Sequence, residues 1–184
     1  TANNNVAIGL CALEQNSTGA DNTAIGALAL DANTTASNNV AIGYVALALN
    51  TTGTSNVAVG AGSLDANTTA SGNTAVGKTS LGANTTGAEN TVVGSSAGSL
   101  NTTGCRFTAV GFESGKAHTT GIENSLFGRK SGLALTTGDN NTFIGSYSGV
   151  TQTTADNNTG VGKSALSSNT TGYSNTSVGK DAMN

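Results

Sequence analysis

Apolar and polar residues follow one short pattern that recurs along the whole chain. An apolar residue followed by a glycine returns every 17 residues, eleven times, with no insertion or deletion between copies. Groups such as Val40–Ile42 and Thr91–Val93 precede this glycine, and Asn, Thr and Gly punctuate the rest of each unit, which predicts short strands joined by turns. The repeating residues, hereafter the key glycines, are Gly9, Gly26, Gly43, Gly60, Gly77, Gly94, Gly111, Gly128, Gly145, Gly162 and Gly179.

A strict period of this kind predicts a solenoid, in which each unit lies against its two neighbours. Seventeen residues are too few for a helix pair, and Gly, Asn and Thr are poor helix formers. We therefore predict an all-β fold, a parallel β-helix or β-roll of eleven 17-residue coils, formed by residues 1–184 as a single repeat domain without caps. At about 4.8 Å per coil, the rod is expected to be about 50 Å long.

Residues at the same position of successive units form columns. In two of these columns, side-chain size varies in opposite directions. The position two before the key glycine is Ala in the first five coils, whereas the position four after it is Leu there. Larger residues such as Leu126 and Phe143 enter the first column where the second holds Gly132 and Gly149. Close packing at fixed volume predicts that both columns share one layer. The residue directly before the key glycine is always Ile, Val or Phe, and we expect it to point into the core.

Two further columns are predicted to be structural ladders. The key glycine indicates either a positive φ or a place too crowded for a side chain. Asn stands four residues before it in all coils but one, where Phe107 replaces it, and stacked amides can bond along the axis. The clearest members of this Asn column are Asn22, Asn39, Asn56, Asn73 and Asn90.

Short strings in this repeat resemble those of known surface proteins. Asn-Val-Ala-Ile-Gly at residues 5–9 and Asn-Asn-Val-Ala-Ile-Gly at residues 38–43 resemble the head repeats of YadA-like trimeric autotransporter adhesins. The fuller unit, with Asn-Thr-Ala-Val-Gly at 73–77 and Asn-Thr-Thr-Gly at 84–87, is similar to repeat arrays of phage tail fibres. The resemblance implies a β-roll that is left-handed and trimeric in the adhesin case. It also implies a role in attachment on a cell surface, outside the cell or on a virion fibre.

Composition narrows the classes of function. The chain of 184 residues has 26 Gly, no Pro, 9% charged residues and a net charge of −3 with only seven Lys and Arg, which disfavours nucleic-acid binding. Apolar runs are too short for membrane insertion. No catalytic constellation, cofactor loop or metal-ligand cluster is recognisable, so we expect no enzyme. The lone His118 is interpreted as a surface substitution, and the recurring acids Glu14, Asp31 and Asp65 as part of a solvated face.

The chain has two cysteines, recurring glycosylation sequons and ends that fall within repeats. Cys11 and Cys105 lie five coils apart, about 24 Å along the axis, and are expected to be free thiols. Thr1 and Ala2 fall in register with Thr35 and Ala36, so the chain starts within a repeat, which suits a piece of a longer array or a head-to-tail filament. Formal N-glycosylation acceptors recur at Asn16, Asn33, Asn50, Asn67, Asn84, Asn101 and Asn169.

The leading hypothesis for function is a non-enzymatic structural or adhesive fibre module. Such a rod would associate with itself as a homotrimer or a head-to-tail filament and present variable faces to host-surface or matrix glycans. The alternative is an ice-binding solenoid that uses Thr and Asn ladders. If this segment were a strand, Asn84 and Thr86 would lie on one face and Thr85 on the other, which departs from a Thr-x-Thr face. A lyase-like β-helix is a third class, but it would require carboxylates that converge on one groove.

Overall fold

The computed structural model describes residues 2–184 and shows the predicted all-β solenoid. Thr1, which the sequence places in a Thr column, lies outside these residues. Eleven three-residue strands form, one directly before each key glycine: β1 Val6–Ile8, β2 Thr23–Ile25, β3 Val40–Ile42, β4 Val57–Val59, β5 Thr74–Val76, β6 Thr91–Val93, β7 Thr108–Val110, β8 Ser125–Phe127, β9 Thr142–Ile144, β10 Thr159–Val161 and β11 Thr176–Val178.

The strands stack in chain order as one parallel sheet. Each strand residue is in register with the equivalent residue of the next coil, as Ala41 is with Ala58. Backbone hydrogen bonds continue this stacking through the turns, for example from the Thr51 N–H to the Thr68 carbonyl at 2.8 Å. The 17-residue period is thus one coil of the solenoid. Among residues 2–184, none lies in a helix that is long and apolar enough to cross a membrane.

Left-handed backbone turns allow each coil to close. The key glycines have φ between +130° (Gly179) and +142° (Gly94), and leucines in the column four residues later also have positive φ, +52° at Leu47. A non-glycine residue in this region costs roughly 1–2 kcal/mol. Full burial of the Leu47 side chain offsets that cost by about 2 kcal/mol.

The core of each coil is one shared layer, as the volume exchange predicts. The central strand residue points inward and is buried, as at Ala41 and Phe143. A Cβ added to Gly149 would lie 2.5 Å from Cδ2 of the Phe143 ring, and one added to Gly132 would lie 2.8 Å from Cδ1 of Leu126. The two columns therefore fill the same space within one coil, and only one of them can be large.

Candidate functional site

The strand residue directly before each key glycine faces outward, so its predicted place in the core is wrong. Ile8 is 59% exposed, Ile144 43% and Val178 71%, and the rest of this column is also exposed or half-buried. We call this column the strand ridge. Its members are Ile8, Ile25, Ile42, Val59, Val76, Val93, Val110, Phe127, Ile144, Val161 and Val178.

The alternation of side chains along a strand explains the error. Only one of two adjacent strand residues can point inward. In β2 to β5 the inward one is Ala, because the Leu column already fills the layer, whereas Phe143 points inward where that column holds Gly149. The Ala that accompanies Leu in each of the first five coils is the signal that could have placed the ridge outside. The solenoid consequently carries an unbroken apolar row along its full described length.

The two positions after each key glycine form a variable outer column, as the sequence predicts. Leu10, Tyr44 and Phe112 are exposed by 75%, 60% and 47%. Other coils carry exposed cations there, namely Lys78, Arg129, Lys163 and Lys180. The Arg129 guanidinium lies 5.1 Å from the centre of the Tyr147 ring and also donates to its hydroxyl. This column therefore mixes aromatic, aliphatic and cationic side chains from coil to coil.

Acidic side chains are concentrated in the two positions that precede the Asn column. Asp139 Oδ1 accepts the Ile122 N–H at 2.8 Å, and Asp156 Oδ1 accepts the Asp139 N–H at 2.8 Å. Ser37 makes the same contact with the Ala20 N–H at 3.0 Å. A short acceptor in this column therefore satisfies a backbone donor of the preceding coil, a role that the sequence analysis missed.

Two internal amide ladders run along the rod. In the Asn column before the strand, the Asn39 N–H donates to Asn22 Oδ1 at 3.0 Å, and Asn39 Nδ2 donates to the Gly53 carbonyl at 2.9 Å. In the column seven after the key glycine, Asn67 Nδ2 donates to Asn50 Oδ1 at 2.9 Å. Because buried polar groups require partners, these ladders make the polar interior tolerable.

The second ladder contains the predicted glycosylation acceptors. Asn33, Asn50, Asn67, Asn84 and Asn101 are each 0% exposed, while Asn16 and Asn169 are half-buried. A glycan on any of the five buried amides would require its coil to open and its ladder bond to break. We therefore assign these five side chains to the interior of the rod.

Both Thr columns lie at the surface, contrary to the predicted alternation of Asn84, Thr85 and Thr86. Asn84 is buried, Thr85 is half-buried and Thr86 is exposed. The segment is a bend rather than a strand, so alternating directions do not apply. From Ser17 to Thr136, the first residue of each pair donates its hydroxyl to the carbonyl of the equivalent residue in the next coil, as Thr85 Oγ1 does to Thr102 at 3.1 Å. The second Thr leaves its hydroxyl exposed to solvent.

His118 is buried, so its interpretation as a surface substitution is wrong. It replaces Asn in the inward column and stacks on Phe107, with ring centroids 4.1 Å apart and planes 1° from parallel. Nδ1 donates to Asn101 Oδ1 at 2.9 Å, because the amide oxygen can only accept, and Nε2 accepts from Asn124 Nδ2 at 3.3 Å. Asn124 Nδ2 also donates to the Gly138 carbonyl, at 2.7 Å. The imidazole is thereby held in its neutral form.

Acid is expected to destabilise the solenoid through His118. Burial lowers the pKa of this imidazole from 6.5 to about 4. Since the unfolded pKa is the higher one, the unfolded state binds the proton first. The contribution of the neutral imidazole to the free energy of unfolding is fully present above pH 6.5. It falls as the pH drops towards 4, by about 3 kcal/mol in total. Urea unfolding at pH 7 and pH 4 measures this loss.

His118→Asn supplies the control, because Asn occupies this column in most coils and does not titrate. The carboxylates titrate equally in both proteins, so the difference between the two pH profiles isolates the imidazole. Parallel profiles would contradict the assignment of a buried neutral His118.

The two cysteines and the acids Asp31 and Asp65 lie partly buried in the coil. Cys11 and Cys105 are free and half-buried, and a hydrogen bond to Glu14 and partial burial raise the pKa of Cys11. Asp31 and Asp65 are half-buried rather than fully solvated, and burial raises the pKa of Asp65.

Within residues 2–184 there is no pocket and no group of three or more His, Cys, Asp or Glu residues that could hold a metal ion. Comparison of the chain with protein-family models, curated proteins and solved structures finds no match.

Proposed function

We propose that this chain is a non-enzymatic fibre module, a rigid rod that associates laterally with copies of itself through the strand ridge. The observation that carries the proposal is the unbroken outward row of Ile, Val and Phe along all eleven strands. Monomeric proteins rarely leave a long contiguous apolar surface in water. A second copy with the same row is its natural complement.

The geometry of the ridge suits packing against another rod. Ridge residues of neighbouring coils are in register and are spaced by about 4.8 Å along the axis, so the row is regular. Sheets pack face to face at about 10 Å through interdigitating side chains. Homodimer and homotrimer interfaces are more apolar than the remaining surface, in agreement with a ridge of β-branched residues. We thus place the subunit contact on the strand face.

The variable column would then serve attachment. Its side chains change from Leu10 to Tyr44, Lys78, Phe112 and Arg129, while the key-glycine column never changes and the Asn column changes in one coil. Variation on a constant scaffold is typical of surfaces that recognise ligands. We propose that lateral bundles present those side chains of this column that a neighbouring rod leaves uncovered to surface or matrix glycans, outside the cell, on a cell surface or on a virion fibre.

Loss of the apolar ridge is expected to separate the subunits. We predict that the double variant Ile42→Glu/Val93→Glu sediments as a 17.9 kDa monomer, whereas the unmodified chain sediments as a multiple of that mass. Circular dichroism checks that the fold is retained. Sedimentation velocity over a range of concentrations provides the measurement.

The matched control is Leu49→Glu/Leu100→Glu, which changes two exposed leucines, 56% and 52% accessible, on a different column. It carries the same change of charge and should leave the assembly intact. An unmodified chain that stays monomeric at every concentration, or equal disruption by both variants, would contradict the proposal.

Ice binding remains a second candidate because both Thr columns lie at the surface. Exposed residues such as Thr86 and Thr103 repeat every coil and offer a regular hydroxyl array. The ridge and the Thr columns are different parts of the coil, so the monomeric ridge variant distinguishes the two functions. Thermal hysteresis that survives in that variant would favour ice binding, and its absence favours the fibre.

A further inference from the structure

Charged side chains are sorted to opposite sides of the strand ridge. The variable outer column, at positions one and two after the key glycine, carries most of the cations, and we call it the basic edge. It contains Lys78, Arg129, Lys130, Lys163 and Lys180, together with the acids Glu113 and Asp181. Glu113 pairs with Lys116 and Lys130 at 2.7 and 3.4 Å, and Asp181 pairs with Lys180 at 3.3 Å. Among residues 2–184, Lys78, Arg129 and Lys163 form no ion pair.

The other side of the ridge has the opposite sign. The two positions before the Asn column form what we call the acidic edge, which contains Asp21, Glu89, Glu123, Asp139, Asp156 and one cation, Arg106. Arg106 pairs with Glu123 at 2.9 Å. The other four carboxylates form no ion pair within the described part of the chain. Because the edges lie at the two ends of each strand, the strand direction points from the acidic edge to the basic edge.

The two charged edges make the parallel and antiparallel pairings of two ridges different. If two rods run parallel and are related by rotation about an axis along the rods, their strands cross the interface in opposite directions. The basic edge of one copy then meets the acidic edge of the other, in a pair or in any closed ring. If the rods run antiparallel, each edge meets its own kind.

We propose that the partner of the strand ridge is a second copy of this chain in parallel orientation, selected by these two edges. This inference rests on the lateral association proposed above and adds its direction. With parallel rods in register, Arg129 after β8 faces Glu123 before β8 of the other copy, and Lys163 after β10 faces Asp156. Full antiparallel overlap instead brings Glu89 against Glu89 and Asp156 against Asp21.

The apolar ridge and the charged edges have different roles in association. Exposed ion pairs individually contribute little affinity, so burial of the apolar ridge must drive association. In the antiparallel orientation, in contrast, like charges face each other and repel. In the parallel orientation, opposite charges face each other and favour the complex. The preference for parallel rods should weaken with salt, since the screening length is about 10 Å at 0.1 M ionic strength.

Thiol cross-linking can report the orientation, because Cys105 already lies on the acidic edge before β7. The first protein carries Cys11→Ser and keeps Cys105 as its only thiol. The second carries Cys11→Ser, Cys105→Ser and Phe112→Cys, which places its thiol on the basic edge after β7, where the native side chain is 47% exposed. The third carries Ser71→Cys in the same thiol-free background, on the acidic edge before β5.

The third position is a matched control for local structure. Ser71 Oγ accepts the Thr54 N–H at 2.9 Å, and Cys105 Sγ accepts the Ala88 N–H at 3.4 Å in the same column. In a fully overlapped antiparallel pair, the acidic edge before β7 meets that before β5. The second protein therefore reports parallel rods, and the third reports antiparallel rods.

The first protein is mixed with the second or the third and treated with a bismaleimide at low salt. We expect cross-linked heterodimers at least about tenfold more abundant with Phe112→Cys than with Ser71→Cys, and a smaller difference at high salt. Predominant cross-linking through Ser71→Cys, or equal yields in an assembly that the ridge variant disrupts, would overturn the parallel orientation alone. Monomers at every concentration would overturn the lateral association and this inference together.

Discussion

Replacing Phe143 with Ala is expected to destabilise the solenoid by about 3–5 kcal/mol, and adding Gly149→Leu is expected to restore most of that loss. Phe143 is completely buried, so its removal leaves a cavity. The double variant has the Ala and Leu pair that Ala41 and Leu47 form in the third coil. Gly149 already has φ +59°, close to the +52° of Leu47, so Leu fits this backbone.

Gly149→Leu alone should destabilise strongly, because its Cβ would lie 2.5 Å from the Phe143 ring. The two single changes and their combination form a double-mutant cycle, measured by urea unfolding. A favourable coupling of several kcal/mol is expected, since each change removes the defect that the other creates. The matched control combines Phe143→Ala with Gly132→Leu, where the added group meets Leu126 instead. Equal rescue by both glycine substitutions, or no coupling, would refute the shared layer.

Gly77→Ala is expected to cost about 4 kcal/mol or more, for two separable reasons. The residue has φ +134°, which strains any L-amino acid. Its new Cβ would also lie 2.5 Å from the carbonyl oxygen of Gly94 in the next coil, and 2.6 Å from the carbonyl carbon. Backbone atoms held in a stacked ladder cannot move aside, so neighbouring coils would have to separate.

Gly179→Ala isolates the first of these effects. Its φ is +130°, but the added Cβ finds Ala182 Cβ no closer than 3.8 Å. We expect a cost of about 1–3 kcal/mol there, the strain alone. The difference between the two free energies of unfolding measures the close approach of coils. Similar costs at both sites would mean that positive φ, and not crowding, explains the key glycines.

The repeat alone was sufficient to predict the fold class and the shared layer. A 17-residue unit rich in Gly, Asn and Thr can be stacked only as short strands and turns, and the exchange between Phe143 and Gly149 is a property of volume. Both follow from local chemistry repeated without interruption. The key-glycine column was likewise recognisable, although the sequence could not separate positive φ from crowding, and the structure shows that both apply.

The direction of each side chain was decided only by the folded coil. Ile144 and His118 were assigned to the wrong sides because hydrophobicity predicts burial only when the path of the backbone is known. At β9 the neighbouring Phe143 points inward and fills the layer, so Ile144 faces outward, and the column of His118 turns inward to complete an amide ladder. The sequence thus determined the period, the strands and the packed volume, whereas the tertiary structure decided which columns face water, because closing the coil leaves room inside for only one side of each strand.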